Sequence, residues 1–340
     1  MDLENLLQLL GDEIETPDEE TFDLFAQQIP SQNLGFIDAK ASVIELTVAG
    51  RDLTIHQSPG ILSSDRAGGT TGAVVWKITP LFAEWISSPS NPLFAHDVLS
   101  SSSCVIELGC GIAGIVGLLL APRIAHYVLT DQAYVSKFIE QNIADNTTTA
   151  TATTKPSYKG HHNHYHKTSH KKQQRETSSR SSKSTGGSSS QPGGQQGQQQ
   201  NIHFTPLDWE TDGATPELLS SSTAVSNNSK TATATATRES FDAIIACDCI
   251  YNEALVEPLV STCADICRLR AADNRDEDKP CVCVVAQQLR DPTVFEAWLA
   301  CFAESFRVWR IPDSLLTEGL RSNSGFVVHI GVLKGLSRLG

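Results

Sequence analysis

From Cys104 onward the chain repeats one arrangement: a short, almost wholly apolar run followed by a segment with helical spacing. CVIEL (104–108) leads into IAGIVGLLLA (112–121), and HYVLT (126–130) into YVSKFIEQNIADN (134–146). After IHFTPLDW (202–209), FDAIIACDCIY (241–251) leads into ALVEPLVSTCADICRLR (254–270), and CVCVVAQQ (281–288) into VFEAWLACFAE (294–304). Strands without a polar face are covered on both sides, and strands joined through helices run parallel with right-handed crossovers. The last two runs, FRVWRI (306–311) and GFVVHIGVL (325–333), have no helix between them and read as an antiparallel pair. The expected fold is α/β: a Rossmann-like, seven-stranded, mainly parallel sheet with an antiparallel end strand. Trp85, Trp298 and Trp309 are expected in its core.

Upstream, SVIELTV (42–48) and LTIH (53–56) flank the turn Ala49-Gly50-Arg51-Asp52 and predict a β-hairpin. VVWKITPLFAEWI (74–86) predicts a helix with an aromatic face. Residues 40–100 are therefore expected to form a hairpin and helix packed on the core. Residues 1–39 hold ten acids and no Lys or Arg, most of the chain's net charge of −13, and read as an acidic, weakly structured segment. Within 101–340, residues 147–200 and 219–239 are polar, low-complexity inserts too poor in apolar groups to offset their ordering entropy, and are expected to be disordered. The histidines at 161, 162, 164, 166 and 170 lie in the first insert without companion ligands, so no metal is expected.

Composition excludes several classes. No run approaches the ~20 apolar residues of a membrane span. No broad basic face for nucleic acid is visible. The N-terminus lacks the Lys and Arg of a targeting peptide. The nine cysteines form no CxxC pair and mostly sit in apolar runs, which fits reduced buried thiols rather than zinc or disulfides. A cytoplasmic or nuclear location is the expectation.

The chemistry concentrates at strand ends. Glu107-Leu-Gly109-Cys-Gly111-Ile-Ala-Gly114 lies between a buried strand and a helix, where glycines turn tightly and free N–H groups point outward. Asp131 ends the next strand, where a carboxylate can take both hydroxyls of a ribose. Glycines plus Asp131 also match a dinucleotide fingerprint, and Asp131 could merely cap the following helix. Other features favour a cationic, hydroxyl-rich ligand over a diphosphate. Glu107 is placed to anchor an amino group, Asp208 and Trp209 to read an adenine, and Asp248 to Tyr251 end the fourth strand. S-adenosylmethionine satisfies all of these.

The combination TGAVVW (71–76), ELGCG (107–111), LTD (129–131), LDW (207–209) and DCIYNE (248–253) resembles the seven-β-strand (class I) protein-lysine methyltransferases of the methyltransferase-like 21 type. TGAVVWKITPLFAEWI with CDCIYNEALVEP is similar to the fungal ribosomal lysine N-methyltransferases. The resemblance covers roughly 40–335 outside the inserts. It implies that 101–340 is an S-adenosylmethionine-dependent methyltransferase domain. Cofactor contacts would come from Trp76, Glu107, Gly109, Gly111, Asp131, Asp208, Trp209 and Cys247. Asp248 and Tyr251 would be the catalytic pair of an Asp-x-x-Tyr motif; the chain departs from the family in Cys249 and Ile250 inside that motif and in the long insert after the second helix. The implied substrate is a lysine of a basic large-subunit ribosomal protein, with no direct nucleic-acid or membrane partner. Two readings compete: a nicotinamide-dependent oxidoreductase, for which no Tyr-x-x-x-Lys is present, and a non-catalytic binding protein on the same fold.

Overall fold

A computed structural model describes residues 2–31, 35–66, 69–147, 201–220, 240–272 and 279–335. Apart from Thr147, Leu219 and Ser220, which sit in helical turns, the two expected inserts lie outside the described residues. A two-stranded antiparallel hairpin, β1 (Val43–Val48) with β2 (Arg51–His56), precedes the main sheet, as the sequence predicts. The main sheet contains β3 (Cys104–Leu108), β4 (His126–Asp131), β5 (Ile202–Pro206), β6 (Ala243–Cys247), β7 (Val282–Gln288), β8 (Phe306–Arg310) and β9 (Phe326–Leu333). Their order is β5-β4-β3-β6-β7-β9-β8. The pairs among β3 to β7 are parallel, and β9 is antiparallel to both neighbours. The antiparallel strand thus stands one place in from the edge, between β7 and β8.

Every residue of β3, β6, β7 and β9 is buried, which explains their continuous apolar runs. Alternate side chains feed two cores. One lies under α3 (Ile78–Ile86), α4 (Ile115–Leu120), α5 (Ser136–Thr147) and the hairpin; the other under α6 (Val256–Ala272) and α7 (Pro292–Ser305). Pro258 is tolerated because it falls in the first turn of α6, where its missing N–H has no helical acceptor. Trp85, Trp298 and Trp309 are buried as expected. Asn142 of α5, fully buried, staples the layers. Its amide donates to the carbonyls of His56 and Ile112 and its oxygen accepts from His56 N–H, tying the hairpin to the glycine loop.

The N-terminal segment differs from its expectation. Residues read as weakly structured form α1 (Asp2–Leu10) and α2 (Pro17–Phe25), with Leu6, Leu7 and Leu10 buried in the first core and Leu24 in the second. Between them Ile14 N–H donates to the Val308 carbonyl, Glu13 pairs with Arg307, and Glu20 pairs with Arg310 and His329. Glu13 and Glu20 thus have counter-charges, Arg307 and Arg310, some 300 positions away, and the segment covers the otherwise open edge of β8.

Candidate active site

Because β3, β4, β5 and β6 run parallel, their C-terminal ends open on one rim of the sheet, and a cleft of about 920 Å³ lies there. Trp76, Glu107, Gly109, Gly111, Asp131, Asp208, Trp209, Cys247, Asp248 and Tyr251 all line it. Thr71 and Gly72 of the TGAVVW motif join them, as do Thr79, Tyr134 and Leu255, to which sequence reasoning gave no site role.

The first wall is the glycine loop between β3 and α4. Gly109 has φ +68°, and a Cβ there would fall 2.7 Å from Cys249 Sγ and 3.2 Å from the Trp209 ring. Gly111 has φ +60°, and its Cβ would fall 3.0 Å from the Gly72 carbonyl oxygen. These positions therefore need glycine twice over, for the left-handed turn and for the approach of two other segments. The Gly72 carbonyl accepts from Ile112 N–H at 2.8 Å, which docks the 69–76 loop onto the glycine turn.

Two carboxyls sit against this wall. Glu107, buried on β3, accepts from the Tyr127 hydroxyl at 2.8 Å. Burial pushes its carboxyl up to about 8, with the Tyr127 hydrogen bond opposing and the Asp131 charge adding. Asp131 accepts Gly111 N–H at 2.9 Å through Oδ2 and Gln132 N–H at 2.7 Å through Oδ1. Burial raises it to about 6 against those two amides. Among the described residues neither carboxyl has a basic side chain as ion-pair partner.

The second wall comes from β5 and β6. Asp208, half-buried, accepts Glu210 N–H at 3.1 Å, so it also makes the turn that was its simpler expectation. The Trp209 indole N–H is buried without a partner among the described residues. Cys247 is buried beside Thr79. Tyr251 stands at the mouth, 41% exposed, hydrogen-bonded to the Thr71 side chain. Trp76 donates its indole N–H to the Thr71 carbonyl and packs against Phe36, ring centroids 4.4 Å apart.

Asp248 lines the cleft, but its carboxylate is already engaged. Arg290 clasps both oxygens at 2.6 Å each, and Gln288 N–H reaches Oδ1 at 3.3 Å. Sequence reasoning missed Arg290. The only local signal was a lone Arg just past a buried strand whose neighbour ends in Asp248.

The arrangement suits a ligand with a cationic amine, paired hydroxyls and a flat ring. Buried acids without cations would meet the first two, and an indole face with an unpartnered N–H would border the third. S-adenosylmethionine has these groups, so the residues present fit it.

Residues 56–171 match the profile of the lysine methyltransferase family. Ribosomal lysine N-methyltransferase 5 of Zygosaccharomyces rouxii is 39% identical over 107 residues, 28% of this chain and 34% of that protein. The same enzyme of Saccharomyces cerevisiae is 29% identical over 140 residues, 32% of this chain and 38% of that protein. A diaminohydroxyphosphoribosylamino-pyrimidine deaminase of Schizosaccharomyces pombe is 32% identical over 134 residues, 39% of this chain and 32% of that protein. The chain spans about a third of the length of these curated relatives. The profile covers Trp76, Glu107, Gly109, Gly111 and Asp131, while the strand order, with one antiparallel strand set between β7 and β8, supplies the rest of the frame. Residues 56–171 are thus similar to the lysine methyltransferase family, on a chain whose seven-stranded, mainly parallel sheet has one antiparallel strand set between β7 and β8.

Proposed function

We propose that this chain is an S-adenosylmethionine-dependent protein-lysine N-methyltransferase whose substrate is a basic ribosomal protein of the large subunit. The observation that carries the reading is the cleft itself: acids at successive strand ends, in a chain whose residues 56–171 match the lysine methyltransferase profile. The name shared by several relatives supplies the ribosomal target. The cytoplasmic or nuclear location expected from sequence belongs to the same proposal.

When bound, the cofactor supplies a methyl group on a positively charged sulfur. Glu107 would hold its amino group, and Asp131, already fixed by two backbone amides, its ribose hydroxyls. Trp209 and Asp208 would border the adenine, with Cys247 and Trp76 completing the wall. The acceptor must arrive as a neutral amine, whereas a free lysine holds its proton to about pH 10.4. Passage into a mouth walled by Tyr251, Leu255 and Trp76 strips water from the ammonium and lowers that value. Asp248 would then align the nitrogen by hydrogen bonding. Its two oxygens are committed to Arg290, so its work is orientation rather than removal of the proton.

Radiolabelled methyl transfer to ribosomal proteins from cells lacking this protein, followed by mass spectrometry of the labelled band, tests the reading. Label on a lysine of a large-subunit protein supports it. No transfer by folded, cofactor-binding protein overturns it in favour of a binding protein on the same fold.

A further inference from the structure

Arg290 stands outside the cleft, yet three segments of the chain converge on it. Its Nη1 and Nη2 each meet one oxygen of Asp248 at 2.6 Å, and Nη2 also donates to Gln288 Oε1 at 2.9 Å. Its guanidinium lies 4.8 Å from the centre of the Trp76 ring, which also packs against Phe36. The backbone at Gly35 crosses the clasp so closely that a Cβ there would fall 2.3 Å from Gln288 Oε1 and 2.9 Å from Arg290 Nη2. Gly35 holds this place through its carbonyl, which accepts Lys77 N–H at 2.8 Å. Phe36 and Trp76 are themselves joined by a β-bridge.

Asp248 needs such support. Among the described residues it is one of three non-glycine residues with positive φ, at +62°, on the turn that leaves β6. A left-handed, non-glycine residue is sparsely populated and persists only where its surroundings over-determine it. Its side chain is 3% exposed, while that of Arg290 is 24% exposed. The planar guanidinium fixes both oxygens at once, which an ammonium group cannot do. The aromatic face over Arg290 restricts the guanidinium in turn. Trp76 and Asp248 both line the cleft, so Arg290 couples its two walls from behind.

Resting on the methyltransferase reading above, we propose that Arg290 is the positioning residue of the acceptor half of the site: it locks the Asp248 carboxylate, against Trp76, in the one orientation that aligns the incoming lysine amine. Arg290 touches neither cofactor nor substrate and acts through Asp248. Loss of the clasp leaves the cofactor half intact and misaligns the acceptor, and an ångström of misplacement is enough to cost about 10²-fold in rate.

The test compares wild type with Arg290→Gln, Arg290→Lys, Asp248→Asn and the Arg290→Gln/Asp248→Asn double variant, all as full chains. Three quantities are read: affinity for S-adenosylhomocysteine by calorimetry, melting temperature with that ligand bound, and single-turnover methyl transfer to unmodified large-subunit ribosomal proteins. Arg290→Gln is expected to slow transfer about 30- to 100-fold with ligand affinity within about threefold of wild type. Arg290→Lys is expected to recover only part of the loss, because a point charge cannot hold both oxygens. The double variant should be no slower than the worse single one, since both changes break one device. Transfer by Arg290→Gln within about twofold of wild type overturns the proposal. So does a loss matched in ligand affinity and melting temperature, which marks a plain structural role, or a double variant whose losses multiply. Wild type that binds the ligand but transfers no methyl group sinks the methyltransferase reading instead, whatever the variants do.

Discussion

The two halves of the cleft manage their acids in opposite ways. On the β3–β4 side, Glu107 is buried and Asp131 half-buried, with hydrogen-bond donors but, among the described residues, no basic side chain as partner, and desolvation raises both. On the β6–β7 side, Asp248 is buried under a bidentate guanidinium. A buried carboxyl without a cation is costly unless it keeps its proton or a ligand supplies the charge. One clasped by arginine already has its geometry settled. The first half is thus built to be completed by a cationic, hydroxyl-bearing ligand, and the second is complete beforehand and presents a fixed edge. A bound cofactor and a transient acceptor make these two different demands.

The contrast breaks most visibly in Glu107→Gln. The folded chain holds the Glu107 proton up to about pH 8, while the unfolded chain releases it near the ordinary glutamate value of 4.5. Between those limits the folded state binds more protons, so stability falls as pH rises and the loss is complete above about 8. At about 1.4 kcal/mol for each tenfold in proton affinity, the window withdraws at most about 5 kcal/mol. Denaturant titrations from pH 5 to 9 should show wild type losing stability relative to Glu107→Gln. Parallel curves would mean that Glu107 does not carry a buried proton.

Asp248→Ala attacks the other half. Transfer should fall at least about 10²-fold while S-adenosylhomocysteine affinity stays within about threefold, because no cofactor contact is assigned to that side chain. Retained turnover removes Asp248 from the acceptor site. Asp131→Ala should do the reverse. The lost carboxylate costs a charged hydrogen bond, about 1.5–3 kcal/mol, or about 10- to 100-fold in cofactor affinity. Part of that loss comes from releasing the Gly111 amide. Unchanged affinity would leave Asp131 as a loop-holding residue only.

What the sequence made legible follows the range of the interactions. Glycines, strand ends and the Asp-x-x-Tyr spacing are local, so the site residues named from them gather in one cleft. Arg290 is not local. Its partner is 42 positions away, and QQLRD carries no spacing that marks a clasp. The acidic N-terminus failed in the same way. Composition within 1–39 showed charge without counter-charge, but Arg307 and Arg310 provide it for Glu13 and Glu20 from the far end of the chain. The leucines of ENLLQLL (4–10) were the local hint, and Leu6, Leu7 and Leu10 are indeed buried. The position of β9 between β7 and β8 is likewise a matter of pairing, which a run of apolar residues does not encode.

The smallest effect sharpens the comparison most. Tyr127→Phe deletes the one hydroxyl that opposes burial at Glu107, leaving the buried ring in place. Near pH 7 the carboxyl already holds its proton in the free protein, so stability should change by only about 1 kcal/mol, the net worth of one hydrogen bond. The carboxyl itself should rise further. If a cofactor amine ionises Glu107 on binding, a proton leaves the protein, and calorimetry in buffers of different ionisation enthalpy counts it. That release should move to higher pH in Tyr127→Phe and vanish in Glu107→Gln. A release unchanged in both variants would mean that the charge on the β3–β4 side is not waiting for the ligand, and the two halves of the cleft would no longer differ in the way their acids are used.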